Sequence, residues 1–372
     1  MLINKENNGC LQNCEVIVVN ATATRAGGAL TILNQFIANI PNDDFKYVIF
    51  VDVSYQCTVK KKNVQIIPVE KRSFVKRFLW DVFELKKYLK NHSIEPVIAI
   101  SLQNTNFRLN KPCPNYIYYH QPLPFFPYKW KFFKSKERSF WFYKNIYPFF
   151  VNLFVNKKTE FFVQLDFIKD AFVKRFCFSK DKVHVIFPEI ESPKPEPIDG
   201  LLVDDAMVKF FYPATPLIYK NHRLLFESLT KIDDKLLQKI VLYLTCERAD
   251  FKELTDFKNI QIVFIGTVKH ANVMWLYEQA DALLFPSYIE TLGLPLIEAA
   301  GLGLPILAAD LPYAREVLDG YSGVTFINHQ DVEIWGEKIL QLSRETKIRY
   351  SNYEIKNKKG WNDFFEIIKR NI

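Results

Sequence analysis

Residues 280–309 read ADALLFPSYIETLGLPLIEAAGLGLPILAA. The apolar run at 282–285 predicts a buried strand. Pro295 suits the first turn of a helix, because the N–H group that proline lacks would have no helical partner there, and Gly301 marks where this helix ends. The apolar stretch at 305–309 predicts a second buried strand. Strand, loop, helix and strand in this order indicate a parallel α/β sheet, and ligands of such sheets bind at the carboxyl ends of the strands.

Two carboxylates flank the predicted helix start. Glu290 lies in the loop, and Glu298 lies one turn inside the helix. A lone glutamate in a first helical turn is usually a surface residue that interacts favourably with the helix dipole. Here Glu298 also suits a pair of hydrogen bonds from a ribose diol, and the free N–H groups at the helix start suit a phosphate or a sugar hydroxyl. The residues that provide these N–H groups are Thr291, Leu292, Gly293 and Leu294.

The length of the pattern favours the functional interpretation. The segment resembles the Glu-x7-Glu signature of the retaining glycosyltransferases of the GT-B type, family 4. The matching residues are Phe285, Pro286, Ser287, Glu290, Gly293, Pro295, Glu298, Ala299, Pro305, Leu311, Pro312, Tyr313, Glu316 and Val317. Leu292 stands where the family usually has an aromatic residue. The resemblance implies a GT-B fold, in which two Rossmann-like α/β domains face each other across a cleft. It also implies that Glu290 binds donor sugar hydroxyls and that Glu298 binds the ribose.

The composition excludes several classes of protein. With 372 residues, of which 49% are hydrophobic, the chain suits two globular domains and does not suit a disordered protein. No apolar run approaches the ~18 residues of a membrane span, and the first residues contain no apolar signal core. The six cysteines form no CxxC pair, which favours reduced thiols in a cytosol and argues against zinc. The net charge of +8 suits anionic partners, but no nucleic-acid-binding module is present.

Strand and helix patterns alternate throughout, as in parallel α/β proteins. The most distinct helices are predicted at 29–38, 74–89, 166–176 and 361–368. Strands are predicted at 15–20, 47–51, 97–101, 116–119, 161–163 and 183–187, and then at 208–212, 239–244, 260–265, 282–285, 305–308 and 324–327.

The segment at 188–205 is rich in proline and charge, which predicts a linker. We therefore expect an N-terminal acceptor-binding Rossmann-like domain at 1–187, a linker at 188–206 and a nucleotide-sugar-binding Rossmann-like domain at 207–354. The remaining residues, 355–372, contain an amphipathic helix. In GT-B enzymes a final helix crosses back to the first domain, and the alternative is that it packs only on the second.

Two features of the first half suit a donor. Gly27 and Gly28 precede a predicted helix, and paired glycines at a helix start let the backbone approach an anion, although most such turns are only turns. Neither a G-x-G-x-x-G fingerprint nor a Walker A lysine is present, which argues against NAD and ATP. His120 ends a predicted strand. A lone histidine is more often structural, but the resemblance implies a role, because family 4 enzymes have a histidine here near the donor sugar. The resemblance also implies that the loop of Gly27 and Gly28 lies beside the donor diphosphate, as the glycine-rich loop of family 4 enzymes does.

The segment at 128–158 mixes cations with aromatic residues. Six basic residues (Lys129, Lys131, Lys134, Lys136, Arg138 and Lys144) alternate with Trp130, Phe132, Phe133, Phe140, Trp141 and Phe142. This composition suits an interface with acidic lipid. The alternative, which is equally well supported, is a core helix followed by a basic acceptor loop.

Lys220 is expected at a helix start in the second half, where its ammonium group can meet a diphosphate. Family 4 enzymes typically carry an arginine five positions earlier, but here that position is Thr215, which puts part of the phosphate clamp in doubt. Arg223 either compensates or is an ordinary helix surface residue. The form YPATP…YKNH resembles a subgroup associated with bacterial surface polysaccharides.

The residues Gly266, Thr267 and Val268 end another predicted strand, and the family places backbone groups here against the nucleotide base. Because the contact is made by backbone, the sequence does not distinguish uracil from guanine. No Asp-x-Asp motif occurs, so a metal-held diphosphate is not indicated, and we expect neither a metal nor another cofactor.

These features predict a retaining glycosyltransferase. It would move a hexose from a UDP- or GDP-sugar to a saccharide acceptor, with Lys220, Glu290 and His120 in the catalytic centre. The resemblance further implies bacterial O-antigen or capsule assembly on a polyprenyl diphosphate carrier, by a cytoplasmic protein attached peripherally to the inner face of the membrane. The alternatives are a sugar-nucleotide epimerase or hydrolase on the same fold, or a non-catalytic nucleotide-sugar-binding subunit, which the threonine at position 215 would favour.

Overall fold

The computed structural model describes residues 15–25, 27–57, 59–70, 73–204, 206–251, 254, 256–345, 347–356 and 358–370. The chain divides into two compact units. Unit 1 comprises residues 1–189 and 358–372, and unit 2 comprises residues 190–357. Each unit is built around a parallel sheet of its own, as the alternating pattern predicts.

Unit 1 contains a seven-stranded parallel sheet in the order β3-β2-β1-β4-β5-β6-β7. The six residues of the interior strand β1, VIVVNA, are all buried, which explains why all but Asn20 are apolar. The strands are β1 (Val16–Ala21), β2 (Lys46–Asp52), β3 (Val64–Val69), β4 (Pro96–Ser101), β5 (Asn115–Tyr118), β6 (Thr159–Val163) and β7 (Val183–Val185).

The sequence patterns did not reveal β3. This strand lies at the edge of the sheet, is mostly half-buried and contains Pro68, which is tolerated in edge strands. The helices of unit 1 are α1 (Gly27–Asn39), α2 (Phe74–Leu79), α3 (Leu85–Asn91), α4 (Arg138–Asn145), α5 (Tyr147–Val151) and α6 (Asp166–Phe176).

The helix predicted at 74–89 is interrupted. A π-helical turn, Trp80–Glu84, separates α2 from α3. Such turns insert a residue into the helical repeat and often occur at functional sites. Here the turn buries Asp81 together with Trp80 and Val82, so a carboxylate lies inside unit 1.

The last helix of the chain packs on unit 1. We refer to Trp361–Lys369 as α12; the helices of unit 2 account for the numbers between. The ring of Phe36 on α1 contacts the rings of Trp361, Phe364 and Phe365, with centroids 6.0, 5.8 and 5.5 Å away. Burying each of these large side chains contributes about 1.5–3 kcal/mol. Helix α12 is therefore part of the core of unit 1.

Unit 2 contains a six-stranded parallel sheet in the order β10-β9-β8-β11-β12-β13. Its strands are β8 (Val208–Tyr212), β9 (Ile240–Leu244), β10 (Ile260–Phe264), β11 (Ala282–Phe285), β12 (Ile306–Ala309) and β13 (Val324–Ile327). Its helices are α7 (His222–Ile232), α8 (His270–Gln279), α9 (Leu294–Gly301), α10 (Pro312–Val317) and α11 (Val332–Leu342).

The strand order reverses once in each sheet. In unit 1 the reversal lies between β1 and β4, and in unit 2 it lies between β8 and β11. The loops that follow these paired strands diverge, and the crevice between them is where open α/β sheets bind ligands. These two switch points are the first places to look for a site.

None of the helices described is both long and apolar enough to cross a membrane. The cysteines at positions 57, 113, 177 and 246 are free thiols. Cys10 and Cys14 lie outside the described residues.

Candidate active site

An ion pair lies at the switch point of unit 2. Lys220 follows β8, Glu290 follows β11, and Lys220 Nζ lies 2.5 Å from Glu290 Oε1. Their side chains are 17% and 14% exposed. The structure thus brings together two of the three residues that the sequence assigns to the catalytic centre, and both groups remain accessible to a ligand.

Several hydrogen bonds fix the loop that carries Lys220. The hydroxyl of Tyr212 donates to the Lys220 carbonyl at 2.5 Å, and the backbone N–H of Tyr288 donates to the Tyr219 carbonyl at 2.9 Å. Asn221 adopts a left-handed conformation with φ of 61°, and its side-chain amide donates to a carbonyl in the loop after β11. These bonds join the two loops, so the ammonium and carboxylate groups are held in position by backbone contacts.

Glu298 lies on α9 and is only 8% exposed. Its Oε1 lies 2.8 Å from His270 Nε2, and its Oε2 accepts a hydrogen bond of 3.0 Å from the Tyr277 hydroxyl. The hydrogen bond to Glu298 raises the pKa of His270 above its usual value. Burial raises the pKa of Tyr277. Both partners come from α8, and no sequence motif indicated them.

The start of α9 depends on Gly293. This residue has φ of +79°, and a Cβ there would lie 3.2 Å from the ring of Tyr313. Glycine accepts this left-handed conformation without the steric cost of a side chain. Leu292 and Gly293 are buried, whereas Thr291 and Leu294 are half-buried. The backbone therefore enters the helix in a conformation that a larger residue would disturb.

Gly266 also has a positive φ, of +72°. A Cβ at this position would lie 2.5 Å from Glu247 Oε1. Glu247 follows β9 and Gly266 follows β10, which are neighbouring strands. Thr267 is exposed and Val268 is half-buried. A carboxylate thus lies next to the backbone that the sequence assigns to the nucleotide base.

The remaining predicted phosphate ligands of unit 2 lie on the surface. Thr215 is exposed in the loop after β8. Arg223, the candidate replacement for the missing arginine, forms a 2.6 Å ion pair with Glu227 one turn along α7. This is the ordinary helix-surface arrangement that the sequence left open.

Gly27, Gly28 and His120 belong to unit 1. Gly27 begins α1 with φ of +60°, and both glycines are exposed. Arg25, which could have added charge to this loop, forms a 2.7 Å ion pair with Asp52.

His120 lies two residues beyond β5 and lines a cavity of about 160 Å³. Its backbone N–H donates to Asn104 Oδ1 at 2.6 Å, and its ring nitrogen Nε2 lies 3.5 Å from Asn104 Nδ2. Burial lowers the pKa of His120 to about 4. The imidazole is therefore neutral at physiological pH, and it can serve as a hydrogen-bonding group but not as a cation.

The same cavity contains a polar network that sequence reasoning missed. Asp81 accepts hydrogen bonds from the side chains of Asn20 at 2.7 Å and Gln103 at 3.0 Å. Burial raises the pKa of Asp81 to about 7, although the bonds from Asn20 and Gln103 act in the opposite direction. The available signal was a carboxylate on the apolar stripe of the helix predicted at 74–89, four residues before the buried Leu85.

Comparisons with known proteins bear on both units. Residues 201–360 match the family model described as "Glycosyl transferases group 1". The O-antigen chain mannosyltransferase RfbU of Salmonella typhimurium is 24% identical over 198 residues, which cover 50% of this chain and 52% of that protein. The D-inositol 3-phosphate glycosyltransferase of Mycobacterium bovis is 34% identical over 87 residues, or 23% of this chain and 18% of that protein. The chain thus spans about half, or less, of the length of these curated relatives.

Solved structures extend the similarity to the whole fold. A glycosyltransferase from Rickettsia africae superposes with a TM-score of 0.60 at 15% identity, over 96% of this chain and 99% of that one. The fold is GT-B. WaaG, a glycosyltransferase involved in lipopolysaccharide biosynthesis, shares this GT-B fold with a TM-score of 0.58 at 14% identity, over 89% of this chain and 90% of that one. Two parallel α/β units, as expected from the sequence, are therefore confirmed.

Proposed function

We propose that this GT-B protein is a retaining glycosyltransferase of the family 4 type, which transfers a hexose from a UDP- or GDP-sugar to a hydroxyl group of a saccharide acceptor. The observation that carries the proposal is the Lys220–Glu290 pair at the switch point between β8 and β11. A nucleotide sugar requires a cation that binds its phosphate groups and, close to that cation, a carboxylate that accepts hydrogen bonds from its sugar hydroxyls. The match of residues 201–360 to the group 1 model supports the same conclusion.

The main barrier to this reaction is departure of the nucleoside diphosphate from the anomeric carbon, which develops oxocarbenium character. Lys220 and the start of α9 would stabilise the leaving charge, and the Gly27–Gly28 loop at the start of α1 is a further candidate for this role. The acceptor oxygen bonds to the anomeric carbon on the face from which the diphosphate leaves. The acceptor's proton passes to the departing phosphate oxygen.

The carboxylates would bind and orient the donor. In this proposal Glu290 accepts hydrogen bonds from sugar hydroxyls, and Glu298 accepts them from the ribose. An ionised carboxylate has about four acceptor sites, so Glu298 retains capacity beyond its bonds to His270 and Tyr277. His120, which is neutral, would contact the donor sugar.

We propose that no metal or other cofactor takes part. The basis is the absence of an Asp-x-Asp motif from the sequence, together with the charge that Lys220 supplies.

Two similar proteins suggest the biological role. One relative is an O-antigen chain mannosyltransferase, and one structural neighbour is involved in lipopolysaccharide biosynthesis. We therefore propose a role in bacterial surface-polysaccharide assembly, with an acceptor on a polyprenyl diphosphate carrier.

A lipid-linked acceptor would require contact with the membrane, and the segment at 128–158 provides a suitable surface. Phe133 is 93% exposed and Phe149 is 67% exposed. The lysines at 129, 131, 134 and 136 of the same segment are also exposed. Exposed aromatic rings among cations suit an anionic leaflet. We propose that the protein is cytoplasmic and binds the inner face of the cell membrane through this surface.

Not every member of that segment belongs to the surface. Phe140 is buried, and Lys144 donates hydrogen bonds to the carbonyls of Phe126 and Tyr128. These two residues fix the loop before α4, so the alternative of a core helix next to a basic loop holds for this part of the segment.

The test of the transferase proposal is a donor screen. The protein is incubated with UDP- and GDP-linked sugars, nucleotide-linked mannose first, with and without lipid-linked saccharides, and one arm contains EDTA. We expect transfer with retention of anomeric configuration, measured by NMR, at the same rate with EDTA present. Lys220→Ala should abolish most of the activity. Lys231→Ala, which removes an exposed lysine of α7 paired with Glu333, is the matched control.

The other functions predict different results. An epimerase or hydrolase would convert a nucleotide sugar without an acceptor. A binding subunit, for which the exposed Thr215 in place of arginine is the only support, would bind a nucleotide sugar and transfer nothing. Loss of activity in EDTA that Mg²⁺ or Mn²⁺ restores would overturn the metal-independent mechanism alone.

A further inference from the structure

The cavity of about 160 Å³ in unit 1 lies at the switch point of that sheet, and we call it the switch cavity. Its lining includes Thr24 from the loop after β1, Gln103 and Asn104 from the loop after β4, and His120 from the loop after β5. Because β1 and β4 are the strands at which the order reverses, this is the position at which an open α/β sheet binds a ligand.

The floor of the switch cavity is polar and rigid. The Gln103 Oε1 atom accepts hydrogen bonds from the Ala23 N–H at 3.1 Å and the Thr22 hydroxyl at 3.2 Å. These donors fix the orientation of the amide, so Gln103 Nε2 faces Asp81. The backbone N–H of Thr22 donates to Asn20 Oδ1, and Asn20 Nδ2 donates to Asp81 Oδ1. The network therefore holds Asp81 in one position.

Asp81 keeps an acceptor site within this network. Its Oδ1 accepts from Asn20 Nδ2 and from Gln103 Nε2, whereas its Oδ2 accepts from Gln103 Nε2 alone, at 3.0 Å, among the residues that the structure describes. A carboxylate offers about four acceptor sites, and three are used. Asp81 lines the cavity, so the fourth suits a donor that enters it. A hydroxyl group is such a donor.

The wall of the cavity has the opposite character. Six Phe and Tyr rings line it, belonging to Phe74, Phe78, Tyr143, Tyr147, Phe150 and Phe154. Some also contact one another: Phe78 and Phe150 have centroids 5.5 Å apart. A polar floor and an aromatic wall match a ligand with hydroxyl groups on its edge and C–H groups on its face. A pyranose ring has both, and a cavity of about 150 Å³ accommodates a six-membered ring.

The aromatic wall continues onto the surface. Phe74 contacts Phe142 at 5.3 Å and Phe150 at 5.4 Å, and the neighbouring Val75 and Phe149 are exposed. The rings that line the cavity are thus continuous with the apolar surface proposed for membrane contact. A sugar attached to a lipid can enter the cavity while its lipid stays on that surface.

We propose that the switch cavity binds one pyranose ring of the acceptor saccharide beside the donor sugar that His120 contacts, and that Asp81 selects the acceptor ring by accepting a hydrogen bond from one of its hydroxyl groups. This inference rests on the proposed transferase function and adds the position and chemistry of the acceptor. Asp81 is a specificity-determining residue in this arrangement, and Asn20 and Gln103 are positioning residues.

The test uses the full chain and a panel of methyl glycosides of hexoses, 6-deoxyhexoses and N-acetylhexosamines, without nucleotide. Binding is measured by saturation-transfer NMR. At least one glycoside should bind, and Asp81→Asn and Phe78→Ala should each raise its Kd at least tenfold. Glu160→Gln changes another buried carboxylate of unit 1, and Phe83→Ala removes an exposed ring beyond Asp81; neither residue lines the cavity. Both controls should bind as the unmodified protein does.

Three results would overturn the inference. One is the absence of binding by every glycoside. Another is binding that both Asp81→Asn and Phe78→Ala leave unchanged. The third is displacement of the glycoside by a nucleotide sugar but not by the free nucleotide, because the cavity would then hold the donor sugar. If Asp81→Asn does not fold, the Phe78→Ala and Phe83→Ala pair decides. Failure of the transferase proposal is recognised separately, by the absence of transfer in the donor screen.

Discussion

Lys220 and Glu290 neutralise each other across the switch point of unit 2, with Nζ and Oε1 2.5 Å apart. The two residues are 70 positions apart in the chain and meet because β8 and β11 are neighbouring strands. In the absence of a donor each group therefore satisfies the other. A diphosphate would compete with Glu290 for the ammonium group, and this exchange would free the carboxylate to accept hydrogen bonds from the sugar.

Replacing Lys220 should reveal whether it contacts phosphate. We expect Lys220→Ala to weaken nucleotide-sugar binding more than Lys220→Arg does, because the contact depends mainly on charge. Isothermal titration with the donor identified in the screen measures the effect. Unchanged donor Kd and kcat in the alanine variant would mean that Lys220 only pairs with Glu290.

The two glutamates should both matter for turnover. We expect Glu290→Ala and Glu298→Ala each to lower kcat/KM by about tenfold to a thousandfold, which corresponds to lost charged contacts of ~1.5–4 kcal/mol. Steady-state kinetics with circular dichroism as a folding check provides the measurement. Normal rates in both variants would show that the donor does not bind at this loop.

The pair formed by His270 and Glu298 should stabilise the protein in a pH-dependent manner. The folded state raises the pKa of His270, so the contribution of the pair is complete below the unfolded pKa of about 6.5. It is lost as the pH rises through the folded value. His270 is partly exposed, so we expect an effect below about 1 kcal/mol. His270→Gln should therefore lower the Tm more at pH 6 than at pH 9.

Tyr277→Phe is the matched control for this effect. It removes the other hydrogen bond to Glu298, but Tyr277 does not titrate in this range because its pKa is raised by burial. The cost of Tyr277→Phe should therefore be the same at both pH values. An equal cost of His270→Gln at pH 6 and pH 9 would contradict the assignment.

A comparison of Gly293 with Gly320 separates the free-energy cost of a left-handed backbone from the cost of a side-chain clash. Both have φ near +80°, but a Cβ on Gly293 would meet the Tyr313 ring at 3.2 Å, whereas nothing lies within 4 Å of one on Gly320. Gly320→Ala should cost about 1–2 kcal/mol for the left-handed backbone alone. Gly293→Ala should cost at least 1 kcal/mol more, because the ring must move. Thermal unfolding measures both costs, and equal costs would show that the Tyr313 ring moves aside without an energetic penalty.

Membrane binding should depend on the four exposed lysines. Each cation near an acidic leaflet contributes ~1 kcal/mol, so the protein should pellet with anionic liposomes at low salt and be released at high salt. Changing Lys129, Lys131, Lys134 and Lys136 to Gln should abolish pelleting and leave activity on a soluble acceptor largely unchanged. A second variant, Phe133→Ser, tests the aromatic contribution separately. If the unmodified protein ignores anionic liposomes at low salt, the surface has another role.

Strands such as β11 were predictable because they are buried on both faces and read as unbroken apolar runs. The edge strand β3 lacks such a run. The π-helical turn at Trp80–Glu84 could not be predicted, since it preserves the amphipathic pattern while inserting a residue. The burial of Asp81 within this turn was missed as well, although its place on the apolar stripe, four residues before Leu85, was an available signal.

Individual residues of the candidate site were predictable where they lie together on one loop or directly follow a strand. Glu290 and Lys220 were identified separately, and only the sheet order reveals that they touch. The partners of Glu298 come from α8, where His270 and Tyr277 lie seven positions apart without any motif. Contacts of this kind depend on how elements pack, and a single sequence contains no local pattern for them.

The position of α12 has a consequence for biosynthesis. Unit 2 is one continuous stretch of chain, whereas the core of unit 1 includes Trp361, Phe364 and Phe365. A ribosome therefore synthesises all of unit 2 before it makes the residues that complete unit 1. Domains usually fold in the order in which they emerge, but here the unit that begins first must finish last. Until then the apolar surface around Phe36 stays uncovered, and this is the stage at which a nascent chain would need a chaperone.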